Sequence, residues 1–194
     1  MTSPSTAGAG YVVIGAVWFL IALTLGAAGY VERWRPPTPQ AVLVGLTVLL
    51  LVAFAAIPHF RRWLLALDLR WLVGLHVTRF VGFYFLLVYY RDGALPRAFA
   101  VPGGWGDIVV ATLALILVAT GKLEPRRRLV AAWNTLGLLD ILFVVATATR
   151  LTLADPDSMK ALLRLPLSLL PTFLVPLIIV DHVVVYWRLA RRVA

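Results

Sequence analysis

The sequence predicts an all-α integral membrane bundle of six transmembrane helices, and three observations carry that prediction. Of its 194 residues, 61% are hydrophobic and only 14% charged, against ~45–50% and ~25% in an ordinary soluble domain. Apolar runs near the ~20 residues that a spanning helix requires recur six times. Trp34, Trp63, Trp71, Trp105, Trp133 and Trp187 fall near the ends of those runs, as an interfacial belt does.

The runs lie at about 11–30, 40–60, 71–90, 107–121, 129–149 and 166–187, and together they make residues 1–194 a single transmembrane domain. The first ten residues carry no basic segment, so the first run is expected to remain as an anchor rather than be cleaved. The net charge of +9 is spread in short basic clusters between apolar runs. That pattern belongs to topology signals and anionic-lipid contacts at the cytoplasmic face, and it argues against nucleic acid as a partner. The absence of cysteine excludes disulfides, thiolate metal sites, iron–sulfur clusters and covalently attached haem.

Lys and Arg counts set the orientation. The loop with Arg61, Arg62 and Arg70, the loop with Lys122 and Arg126 to Arg128, and the tail with Arg188, Arg191 and Arg192 share one side, which holds ten against seven on the other. The positive-inside rule then places both termini in the cytoplasm.

The first run carries Gly15, Ala22, Gly26 and Gly29, a small-residue stripe that lets helix backbones approach in lipid. His59 closes the second run beside Arg61 and Arg62 and reads as interfacial. The fourth run opens with VPGGWGD, a turn that delivers Asp107 as the first helical or capping residue, with a part in an outward-facing ligand site as the alternative. The proline-rich stretch before it is expected to lie along the outer interface or to cover part of the bundle from outside. ADPDSMKALLRL, after the fifth run, suits a short amphipathic helix capped by Asp155 or Asp157. In the last run Pro166 is expected to begin the helix, while Pro171 and Pro176 free carbonyls that Ser168 and Thr172 are placed to satisfy.

The polar residues inside the runs are the functional signal. An ionisable group in hydrocarbon costs at least ~2.5–3.5 kcal/mol, so each requires a partner or a purpose. Counting along each helix, His76, Asn134, Asp181 and His182 share one depth near the cytoplasmic boundary, with Arg79 a turn deeper and Asp140 near the midplane. His76, Arg79, Phe80 and Phe83 fall on one α-helical face, expected to point inward. Asn134, Gly137 and Asp140 form a ridge on the fifth helix. Arg79 and Asp140 are expected to form an ion pair, and Asn134 to join helices. Asp181 and His182 differ by ~100° around their helix, so only one is expected to face squarely inward.

Three readings of this cluster stay open. In the first, His76 and His182 are axial ligands of the iron of haem b, with Arg79 near the propionates, Asn134 beside the site, and Phe80, Phe83 and Gly137 lining the macrocycle, giving electron transfer. In the second, Arg79, Asp140, Asp181 and the histidines form the proton relay of a small proton-coupled transporter or permease, a homodimer supplying the second structural half. The third is an intramembrane lipid-modifying enzyme, although the chain has no HExxH and no Ser–His pair or clustered aspartate motif.

HVTRFVGFYF, LPRAFAVPGGWGD, WNTLGLLD and LPLSLLPTFLVP with His182 resemble a group of small uncharacterised bacterial six-helix membrane proteins. The resemblance implies a multi-pass protein of the bacterial inner (cytoplasmic) membrane. The layout also loosely resembles six-helix b-type haem membrane proteins of the ferric-reductase kind, with a thinner histidine pattern.

Overall fold

The computed structural model describes residues 4–191; Arg192 of the basic tail and residues 1–3 of the opening stretch lie outside them. Among the described residues the chain is all-helical, with no strand. Six helices are long and apolar enough to cross a membrane: Gly8–Ala27, Thr38–Ala56, Leu69–Asp92, Arg97–Ala119, Glu124–Ala154 and Leu170–Ala190. The chain divides into two compact units. One holds the described residues up to Ala66 together with Lys160–Leu177, the other Leu67–Met159 and the described residues from Ile178 onward.

In the first unit, α1 (Pro4–Ala27) and α2 (Thr38–Ala56) are followed by the short amphipathic α3 (Pro58–Ala66). His59 therefore sits exposed on α3 rather than closing α2. Tyr11 packs edge-on against Phe60, at 5.1 Å between ring centroids, and Trp63 completes the cluster. Glu32 and Arg164 pair at 2.6 Å where two connections meet. The small-residue stripe of α1 packs at Ala22, 3% exposed, and at Gly26. A Cβ on Gly26 would lie 2.6 Å from Ser168 Oγ, whereas Gly15 faces open space and Gly29 takes a positive φ in the turn after the helix.

Trp18, the one tryptophan inside a run, has a specific partner. Pro176 has no amide to donate to the Thr172 carbonyl, and Trp18 Nε1 donates to that oxygen instead, at 2.9 Å. The Thr172 hydroxyl donates to the Ser168 carbonyl at 2.7 Å, and the Leu167 carbonyl, deprived by Pro171, accepts from the Leu170 amide at 2.9 Å. Pro166 lies in a turn ahead of the helix rather than beginning it, and helical winding starts at Leu169 and Leu170.

In the second unit the third span is a composite. It runs through α4 (Leu69–Leu75), a 3₁₀ segment His76–Val81, α5 (Gly82–Leu87) and a π segment Val88–Asp92. Asp68 caps its start, accepting from the Arg70 amide at 2.8 Å. With three residues to a turn, 3₁₀ winding stacks His76, Arg79 and Gly82 directly above one another, and all three are buried. The 3.6-residue expectation for this face is overturned as a result. Phe83 is 55% exposed and Phe80 stacks on it at 5.8 Å, so the inward stripe continues through Phe85 and Val88 instead.

α6 (Arg97–Ala119) begins ten residues before Asp107, with Pro102 accommodated near its start. Pro96 is the flanking residue, and its carbonyl accepts from the amides of Phe99 and Ala100. The proline-rich stretch is thus the first turns of the fourth span, and Asp107 is a mid-helix residue, not a cap. α7 (Arg127–Ala154) continues five residues beyond its expected end. The expected amphipathic helix after it is reduced to a 3₁₀ turn, Lys160–Leu163, with Met159 and Leu163 buried. Asp155 ends α7 and accepts from the Asp157 amide at 3.0 Å. The end of α8 (Val175–Ala190) is fastened by Arg127, which donates to the carbonyls of Leu189 and Arg191, and by Arg188, which donates to that of Leu67.

Candidate functional site

A buried polar layer crosses the second unit, built by the third span, α6, α7 and α8. Its one guanidinium is that of Arg79, 1% exposed. Nε donates to Asp107 Oδ1 at 2.6 Å, Nη1 donates to the Gly137 carbonyl at 2.9 Å, and Nη2 donates to Asp140 Oδ2. The guanidinium fork suits this work, since its donors are fixed in a plane and its charge is permanent. The Arg79–Asp140 pair is present, and Asp107 joins it as a second carboxylate that the spacing of the sequence did not reveal.

Glycines make the approach feasible. A Cβ on Gly104 would lie 2.9 Å from the Gly82 carbonyl oxygen and one on Gly82 would lie 2.9 Å from Asp107 Cβ, so α6 meets the third span backbone to backbone. The same carbon on Gly106 would run into the Asp140 carboxylate. GGWGD, which read as a turn, is the small-residue face that admits Arg79 and Asp140. That face was the available signal for Asp107.

Beside this cluster lie two histidines, both fully buried. His76 Nε2 is 3.0 Å from Asp181 Oδ2. His182 Nδ1 is 2.8 Å from Asn134 Oδ1, and Asn134 Nδ2 donates to the His182 carbonyl at 3.1 Å. The expectation that only one of Asp181 and His182 faces inward is therefore corrected: both are buried and each has its own partner. One ridge of α7 serves both halves of the layer, with Asn134 on His182, the Gly137 carbonyl on Arg79, and Asp140 on Arg79. Trp133, which its place near a run end assigned to the interfacial belt, is instead buried: it sets its ring edge-on to His76 at 4.8 Å and donates from Nε1 to the Val110 carbonyl at 3.1 Å.

His76 and His182 are neighbours, with ring centroids 4.4 Å apart and planes inclined at 52°. This spacing bears on haem. Two trans metal–imidazole bonds of about 2 Å each, with the rings extending beyond them, set the centroids about 6 Å apart. A Cβ on Gly137 would already lie 2.8 Å from His182 Cε1, so the α7 backbone closes on that ring. The pair as arranged does not fit the axial ligand set of haem b. Among the described residues no group of three or more His, Asp or Glu is placed to hold a metal ion.

Six spanning helices and a buried layer of charge define a multi-pass membrane protein. The chain belongs to the DUF8737 family, a domain of unknown function whose model matches residues 36–190 and so takes in every residue of the layer. No curated protein and no solved structure matches it.

Proposed function

We propose that the protein is a small proton-coupled transporter or permease whose buried layer stores protons and passes them across the membrane. One observation carries this reading: among the described residues of the layer, three enclosed carboxylates, Asp107, Asp140 and Asp181, accompany a single obligate cation, Arg79. A guanidinium does not deprotonate in a protein. With both imidazoles neutral, the layer reaches neutrality only when it holds two protons, and unbalanced charge in hydrocarbon is costly. One proton belongs to the Asp107–Asp140 pair and the other to the Asp181–His76 pair. Asp140 is the least enclosed of the three, with 14% of its side chain exposed against 4% for Asp107, which supports it as the point of exchange. Chains of Asp and His at membrane depth are the usual material of proton relays.

The Lys and Arg balance supports cytoplasmic termini. The resemblance to small bacterial six-helix proteins supports the bacterial inner membrane, with the basic loops against anionic lipids. A homodimer would supply the second half that alternating access uses in larger transporters.

Proteoliposomes holding a trapped pH dye, under a potassium diffusion potential set with valinomycin, test this reading. Proton flux should exceed that of protein-free vesicles and fall at least tenfold in Asp140→Asn. Flux no greater than that of protein-free vesicles would overturn it.

A further inference from the structure

Among the described residues, two enclosed ring nitrogens of the layer make no hydrogen bond: His76 Nδ1 and His182 Nε2. The other nitrogen of each ring is committed, and its chemistry fixes what the orphans must be. The His182 carbonyl can only accept, so the Asn134 atom 3.1 Å from it is the amide nitrogen, and Asn134 Oδ1 is left to face His182 Nδ1 at 2.8 Å. His182 is therefore the Nδ1–H tautomer, and its Nε2 is a bare lone pair. When Asp181 holds the proton of its pair, it donates to His76 Nε2 across 3.0 Å, and the hydrogen of His76 sits on Nδ1. The donor without an acceptor and the acceptor without a donor then lie on adjacent rings 4.4 Å apart by centroid, within reach of one bridging water.

We propose that His76 relays a proton between Asp181 and His182, and that Asn134 is the positioning residue that keeps His182 receptive. This deepens the proton-storing reading and rests on it. In the forward step the Asp181 O–H bond breaks as Nε2–H forms on His76, the His76 Nδ1–H bond breaks as its proton passes to the bridging water, and that water gives one of its own protons to His182 Nε2. Asp181 becomes a carboxylate, His76 stays neutral as the opposite tautomer, and His182 becomes an imidazolium still donating to Asn134. Charge crosses two rings while each proton moves one bond, and the water is left as it was.

The chain has three histidines, so nitrogen-15 NMR of histidine-labelled protein in lipid nanodiscs resolves them, with His59→Gln removing the exposed one. His182 should show a protonated Nδ1 and a bare Nε2. Asn134→Leu should abolish that preference, while Asn134→Asp, which retains an accepting oxygen, should keep it. In the vesicle assay Asn134→Leu should lower proton flux at least tenfold. A wild-type His182 protonated at Nε2 alone would overturn the relay, and that spectrum decides even where Asn134→Leu does not fold. Flux that persists in Asn134→Leu within twofold of wild type would also overturn the relay but leave the transport reading standing. The stated tautomers without any flux would overturn transport and leave the hydrogen-bonded chain intact.

Discussion

Gly82 and Gly104 bring two helix backbones into contact one turn from where Arg79 meets Asp107. The charged layer depends on that crossing, because Arg79 reaches Asp107 at 2.6 Å only while the two spans stay this close. Gly104→Ala places a carbon 2.9 Å from the Gly82 carbonyl oxygen and against Leu86. Overpacking of this kind costs ~1–3 kcal/mol, and backbone cannot swing aside as a side chain can. The expected result is a loss at the upper end of that range in denaturant titration in detergent. Gly15→Ala, facing open space, should change stability little.

Arg79 is satisfied by three acceptors from two helices, and its removal leaves a buried and a partly buried carboxylate without their shared cation. Arg79→Met should therefore destabilise by ~3–5 kcal/mol, the usual cost of breaking a buried pair from one side. Asp140→Asn should cost less, because Asp107 and the Gly137 carbonyl still hold the guanidinium. The double variant should fall short of the sum of the two losses. Additive losses in the same titration would mean that Arg79 and Asp140 act independently.

Trp18 repairs the carbonyl that Pro176 leaves without a donor. Trp18→Phe keeps an aromatic ring against Phe173, whose centroid lies 4.7 Å away, but removes the N–H. An unsatisfied buried acceptor costs ~1–3 kcal/mol, and Trp18→Phe should lose that much. Restoring the amide with Pro176→Ala in the Trp18→Phe background should recover most of it.

Much of the fold was legible because membrane crossing imposes a coarse, additive signal: six apolar runs led to six helices, five of them near the expected places and the fourth beginning ten residues early. Individual polar groups were legible for a related reason, since a charge in an apolar run announces itself, and His76, Arg79, Asn134, Asp140 and His182 do lie in one layer. What stayed hidden depended on local winding. The 3₁₀ turns at His76–Val81 shift the inward stripe from Phe80 and Phe83 to Gly82 and Phe85, a change from 3.6 to ~3.0 residues per turn that residue types alone do not encode. Asp107 was misplaced because glycine and proline in VPGGWGD signal a turn in water, whereas between packed helices the same glycines admit a neighbour.

Gly137 fixes the position of the His182 ring, since a Cβ there would lie 2.8 Å from Cε1 and 3.1 Å from a methyl carbon of Val110. Gly137→Ala should push the ring off Asn134, and the His182 nitrogen-15 spectrum should lose its single-tautomer signature. An unchanged spectrum would show that the ring is held by other contacts.

The most direct test of the charge imbalance is an infrared count of protonated carboxyl groups at neutral pH. Of the nine acidic residues in the chain, the six outside the layer are exposed. Three carboxylates sharing one obligate cation should hold protons, so the carbonyl stretch of two carboxylic acids per molecule should be present. Part of that band should vanish in Asp181→Asn and a separate part in the Asp107→Asn/Asp140→Asn double variant. A spectrum with no protonated carboxyl, all nine groups ionised, would contradict the proton store and with it the function built upon it.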